Sequence, residues 1–165
     1  MTKLVFRIFF FNILIFLLSL FTIELFFGHW FDDHSFGPYM REHRLKKNRV
    51  KLDYNGINYD FVYKRNYHGF RGDEVDPSLI EAVIIGGSTT DERYKPYDLT
   101  ITYNLNSLLQ KKGYNFKIIN AGIEGQSSVG HIFNFKHWFP KLKNFSPKLY
   151  IFYIGINDFA TKADY

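Results

Sequence analysis

A run of 20 residues, Ile8 to Phe27, in which only Asn12, Ser19, Thr22 and Glu24 are not apolar, constrains this chain more than any other feature. It has the length a helix needs to cross the hydrocarbon core of a bilayer. Lys3 and Arg7 precede it and Asp32 and Asp33 follow. That asymmetry orients the N-terminus to the cytoplasm and the remainder outside, against the pull of the basic run Arg41, Arg44, Lys46, Lys47 and Arg49. A cleaved signal peptide is the rival, but the run is long for a signal core and no small-x-small cleavage site follows it. A buried core helix is the third alternative. Glu24, near the helix end, is expected at headgroup level with no function of its own.

Composition has to be judged without this segment, which with its flank holds eight of the 19 Phe. The chain has 165 residues, a net charge of +5 and no cysteine. Disulfides, Cys-ligated zinc, iron–sulfur clusters and thiol catalysis are thereby excluded. The six histidines, among them His131 and His137, are scattered without metal-site spacing, so no metal is expected.

Residues 28–49 read as a juxtamembrane linker whose cations either touch anionic headgroups or form a solvated face. A hairpin follows over 50–65. Val50, Leu52 and Tyr54 alternate with polar residues, Asn55-Gly56 supplies the two positive-φ positions of a type I′ turn, and Ile57, Tyr59, Phe61 and Tyr63 alternate again. A two-residue loop places 54 opposite 57, 52 opposite 59 and 50 opposite 61, with the large side chains on one face. The hairpin is expected to cover the following domain or the linker and to carry no chemistry.

From Gly69-Phe70-Arg71-Gly72 onward the pattern alternates between strand and helix. Strands are expected at 81–86, 116–120 and 149–154. A helix from Ile101 should stop at Gly113, and another, capped by Ser127 or Ser128, should run toward Leu142 with Pro140 ending or kinking it. Such alternation predicts an α/β fold, a three-layer parallel sheet of flavodoxin-like order.

Ser88, Gly125 and Asn157 each follow the C-terminal end of a predicted strand, the edge where open parallel sheets bind ligands. Ser88 could act as a nucleophile with its own N–H near a helix start. Gly125 offers an N–H that a reacting oxygen can approach, and Asn157 an amide NH₂. Together they would make a three-donor oxyanion hole for acyl transfer. Singly, each has an ordinary reading as a turn or cap residue. The Gly-Gly-Ser-Thr-Thr string fits neither phosphate-binding loops nor the Gly-x-Ser-x-Gly elbow, so no nucleotide or nucleic-acid partner is expected.

These segments resemble the three blocks of the SGNH (GDSL-like) hydrolase family, in its membrane-anchored subgroup. Ile84-Ile85-Gly86-Gly87-Ser88-Thr89-Thr90 resembles the first, with the nucleophilic serine. Asn120-Ala121-Gly122-Ile123-Glu124-Gly125 resembles the second, whose last glycine is an oxyanion donor, and Gly155-Ile156-Asn157-Asp158 the third, whose asparagine is another. Gly69-Phe70-Arg71-Gly72 resembles what often precedes the first block in anchored members. The resemblance covers residues 66–165. It implies a serine esterase or acyl transferase that needs no cofactor and works outside the cytoplasmic membrane on acylated glycans or lipids.

The family's Asp-x-x-His block, source of the general base, has no counterpart after Asn157. The acidic pair Asp91-Glu92 stands where the family has small residues, and is expected to alter the shape and charge of the pocket mouth. A flavodoxin-like sheet ending at its third strand would leave Tyr150–Ile154 as an uncovered apolar edge. The expectation is therefore of a fragment: cytoplasmic residues 1–7, a span at 8–27, the linker, the hairpin, and at 66–165 the front part of a hydrolase domain. Alone it would be inactive. A partner chain that completes the sheet is the alternative, as is a noncatalytic anchored binding or scaffold protein that keeps the pocket.

Overall fold

The computed structural model describes residues 3–28 and 43–158. Most of the expected linker, including Asp32, Asp33 and Arg41, lies outside the described residues, as does 159–165. The chain divides into two compact units, residues 1–35 and 36–165.

The first unit is one helix, α1 (Lys3–Phe27), with no buried side chain. It begins five residues before the expected span, so Lys3 and Arg7 are helical rather than a separate flank. No Gly or Pro interrupts it, and 25 residues at 1.5 Å each reach about 37 Å, enough to cross a core of about 30 Å. Its hydroxyls are satisfied internally: Ser19 Oγ donates to the Ile15 carbonyl and Thr22 Oγ1 to that of Leu18, both at 2.8 Å. By length and composition α1 is a candidate membrane span.

The second unit opens with the hairpin of β1 (Lys47–Tyr54) and β2 (Ile57–Lys64). Its register is the expected one, Tyr54 opposite Ile57, Leu52 opposite Tyr59 and Val50 opposite Phe61. Asn55 and Gly56 both have positive φ, 52° and 76°. The strand starts three residues earlier than expected. Lys47, Asn48 and Arg49 pair with Lys64, Tyr63 and Val62, and the Arg49 guanidinium grips the Asp60 carboxylate with two 2.8 Å bonds.

A three-stranded parallel sheet follows, with β3 (Ala82–Gly86) between β4 (Ile118–Asn120) and β5 (Leu149–Tyr153). β4 is shorter than expected, and its first residue is held by a side chain. Asn106 accepts from the Ile118 N–H and donates to the Ile118 carbonyl, both at 2.8 Å. Strand alternation sends β3 side chains to opposite faces. Val83 and Ile85 join Phe70, Ile119, Trp138, Phe139 and Leu142 on one side; Ala82 and Ile84 meet Ile118, Leu105 and Leu109 on the other.

The layer on the smaller side is α3 (Ile101–Lys111), which starts at Thr100, whose hydroxyl accepts from the Tyr103 N–H, and stops at Gly113 with φ 81°. A short helix α2 (Ser88–Asp91) precedes it directly after β3. The opposite layer begins as α4 (Ser128–Phe133), widens to a π turn over Asn134–Trp138 and tightens to a 3₁₀ turn over Phe139–Lys141. Pro140, with no N–H to continue the ladder, lies in that last turn. The expected serine cap of α4 is replaced: Ser127 makes no capping bond, and Asp158 from the loop after β5 accepts from the Ser128 N–H at 2.6 Å.

The sheet's two edges differ. Beside β4, the Arg71 N–H donates to the Asn120 carbonyl at 3.0 Å. β5 has no strand on its far side among the described residues. The uncovered edge expected over Tyr150–Ile154 is present along β5 among the described residues, although its side chains are not all bare. Phe152 and Tyr153 are exposed by more than half, whereas Tyr150 and Ile151 pack into the two cores.

Candidate active site

The fold brings the loops of all three predicted site residues together. Ser88 starts α2, is exposed, and has no hydrogen-bond partner for its hydroxyl among the described residues. Its loop meets the third loop at Gly87, where an added Cβ would lie 2.3 Å from Asn157 Nδ2. Only glycine leaves room there. Asn157 Nδ2 also donates to the Gln126 carbonyl at 2.9 Å, which ties the third loop to the second. An amide NH₂ has two hydrogens, so one stays available to a ligand. Gly125 has φ 73°, a conformation that favours glycine, and an added Cβ would meet nothing within 4 Å. Neither the Gly125 nor the Ser88 N–H has an acceptor among the described residues.

A neutral relay missed by sequence reasoning fixes the second loop from behind. Gln126 and Asn134 exchange two amide bonds, Gln126 Nε2 to Asn134 Oδ1 at 2.9 Å and Asn134 Nδ2 to Gln126 Oε1 at 3.0 Å. His131 Nδ1 lies 2.9 Å from the same Gln126 Oε1 and must carry the proton to make that bond. Burial pushes its pKa down, with Asp158 opposing. His131 is thus a buried, neutral, structural residue, and His137 stacks on Phe133 at 4.2 Å.

A charged knot lies under the first loop, and sequence reasoning missed it as well. Asp91 is fully buried; its Oδ1 accepts from the Tyr63 hydroxyl at 2.7 Å and from Arg65 Nη1 at 2.9 Å. Arg65, also buried, donates further to the carbonyls of Gly69 and Gly122, both at 2.8 Å. Arg71 donates to the Asp91 carbonyl and, at 2.6 Å, to that of Lys95. Arg93 pairs with Glu124 and lies 3.8 Å from Asp91 Oδ2. Asp91 Oδ2 and Arg65 Nη2 are buried without a hydrogen bond. Burial lowers the Arg71 pKa and raises that of Tyr63. His43 is pushed down to about 4 by burial and by the Arg65 and Lys46 charges.

One expectation is corrected in part. Asp91 does not charge the pocket mouth, because it points into the knot. Glu92 does border the Ser88 hollow, with its carboxylate accepting from the Ile101 N–H at 2.8 Å and from Lys95 Nζ at 2.7 Å. The hairpin also contributes to this knot, since Tyr63 of β2 and the next residue but one, Arg65, hold Asp91. One signal was present in the sequence. The alternation through 59, 61 and 63 continues to 65, which assigns Arg65 to the apolar face.

Around Ser88 lies an open hollow of about 370 Å³, bounded by Thr89, Glu92, Arg93, Tyr94, Ile101 and Tyr153 among others. Gly125 and Asn157 are not part of its lining; Asn157 and the Gln126 carbonyl lie beside the Ser88 loop at Gly87 instead. No histidine lines it.

No protein-family model matches the chain, and no curated protein does. Among solved structures it is similar to the esterase AlinE4, described as an SGNH-hydrolase family esterase, at 23% identity and a TM-score of 0.43. Two AlinE4 mutants match at 23% and 20% identity with TM-scores of 0.43 and 0.42. Each match covers 49% of this chain and 43% of the other, so the chain spans less than half the length of these structures.

Proposed function

We propose that this chain is a membrane-anchored serine esterase of the SGNH type, acting on acyl esters of cell-surface glycans or lipids. The observation that carries it is the direct joining of three strand-end loops, Asn157 resting on Gly87 and bonded to Gln126 beside Gly125. Ser88 Oγ attacks the ester carbonyl, and the carbonyl oxygen takes the negative charge. The Ser88 and Gly125 N–H groups and the spare Asn157 hydrogen receive it. Collapse expels the alcohol and leaves an acyl-serine, which water hydrolyses. Helix α1 anchors the enzyme, and the charges of Lys3, Arg7, Asp32 and Asp33 favour a cytoplasmic N-terminus.

The serine proton needs a base. None of the residues lining the hollow is a histidine, and the Glu92 carboxylate is already engaged. The base is therefore one that does not line this hollow among the described residues, and the chain is proposed to be inactive as it stands. The missing base also favours a second function, a noncatalytic anchored protein that binds ligands in the same pocket.

Imidazole supplies the test. A fluorophosphonate is expected to add to Ser88 in proportion to added imidazole, read by intact mass, with no adduct in Ser88→Ala. A chain that stays unlabelled at every imidazole concentration would refute the esterase and leave the binding protein.

A further inference from the structure

The hairpin builds a second hollow that the chemistry at Ser88 does not use. Leu52, Tyr54 and Tyr59 on one hairpin face and Tyr94, Pro96 and Leu99 on the loop between α2 and α3 enclose about 410 Å³. Tyr54 and Tyr94 are exposed by 62% and 60%, and Leu99 by 49%. Large apolar side chains left open in one concavity mark a binding site. Lys95 is the charged group of the lining, and it is committed: Nζ to Glu92 at 2.7 Å and its carbonyl to Arg71 at 2.6 Å. A sugar would find the hydroxyls of Tyr54, Tyr59 and Tyr94 in a lining that is otherwise mostly ring and aliphatic surface. An unbranched hydrocarbon chain is well served. Tyr94 and Lys95 also line the hollow at Ser88, so the two hollows adjoin.

We propose that the hairpin hollow takes a medium-length acyl chain, that of the ester whose carbonyl sits at Ser88. The substrate assignment rests on the esterase function; the binding of the chain does not. Burial of each methylene is worth about fourfold in affinity.

Because the protein has no cysteine, a single Leu99→Cys thiol reports occupancy by its rate of alkylation. The full chain is placed in nanodiscs of zwitterionic lipid, with Lys51→Cys, exposed on the other hairpin face, as the control. Octanoate is expected to protect Leu99→Cys and not Lys51→Cys, at concentrations on the order of a hundredfold below butyrate. Protection by maltose equal to that by octanoate, or none by octanoate, would overturn the proposal. A thiol already unreactive in the nanodisc before octanoate is added would also overturn it, by assigning the hollow to bilayer lipid. The measurement is repeated with Ser88→Ala. Protection retained there, together with failure of the imidazole-dependent labelling, would sink the esterase and keep the acyl site.

Discussion

The two supports of the Ser88 loop are built from different physics. Beneath it, Asp91 is held by Tyr63 and Arg65 in a buried knot of full charges. Beside it, Asn157 is held through the Gln126 carbonyl by neutral amides from the π turn. Buried charges are costly to leave unmatched, whereas amides lose only one hydrogen bond at a time. The charged support is thus the more brittle, and the neutral one leaves a spare N–H for a ligand without adding charge to the site.

The largest break expected is Asp91→Ala. It strands Arg65 and the hydroxyl of Tyr63, and removing one partner of a buried pair costs about 3–5 kcal/mol. Urea unfolding followed by the fluorescence of buried Trp138 should show this, and a loss under 1 kcal/mol would make the knot incidental. On the neutral side, Gln126→Ala unpairs Asn134 and should cost about 1–3 kcal/mol by the same measurement. It should keep the second loop less well fixed, so that Ser88 labelling falls while the chain remains folded.

Acid should weaken both supports. His43, among Arg65, Lys46, Arg93 and Asp91, has a folded pKa of about 4 against 6.5 unfolded, so the unfolded chain binds the extra proton. Stability from this group is complete above 6.5 and is lost as pH falls from 6.5 toward 4. His131 is shifted in the same direction. Thermal unfolding midpoints at pH 7 and 5 should therefore differ, and His43→Gln should narrow the gap more than it lowers the midpoint at pH 7. The smallest effect belongs to Ser88→Ala. An exposed hydroxyl without a partner should leave stability within about 0.5 kcal/mol of the parent while abolishing the phosphonate adduct.

The same contrast separates what was legible in the sequence from what was not. The parallel sheet, the turn at Asn55-Gly56 and the meeting of the loops that carry residues 88, 125 and 157 follow from short-range patterns, because strand period, turn chemistry and strand-end geometry are local. The knot is not local. Asp91 reads as part of the pocket mouth until the hairpin is seen to deliver Arg65 from 26 residues away. The cap on α4 was misread for the same reason: Ser127 and Ser128 stand in the usual place, but the carboxylate that arrives, Asp158, comes from a separate loop. Long-range side-chain partners leave little trace in periodicity.

Strand order also dictates a sequence of events in time. Ala82 of the central strand waits for Ile118 on one side and for Leu149 on the other, while the hairpin closes across a two-residue turn. Contacts between residues close in sequence form first, and parallel pairings wait for long loops to close. The hairpin should therefore be structured early, with Arg65 at its end and no carboxylate yet beside it. Asp91 is delivered only when β3 docks. The chain as it leaves the ribosome would expose β3 with one bare edge until residues 149–153 emerge, which makes that interval the one in which a chaperone matters most.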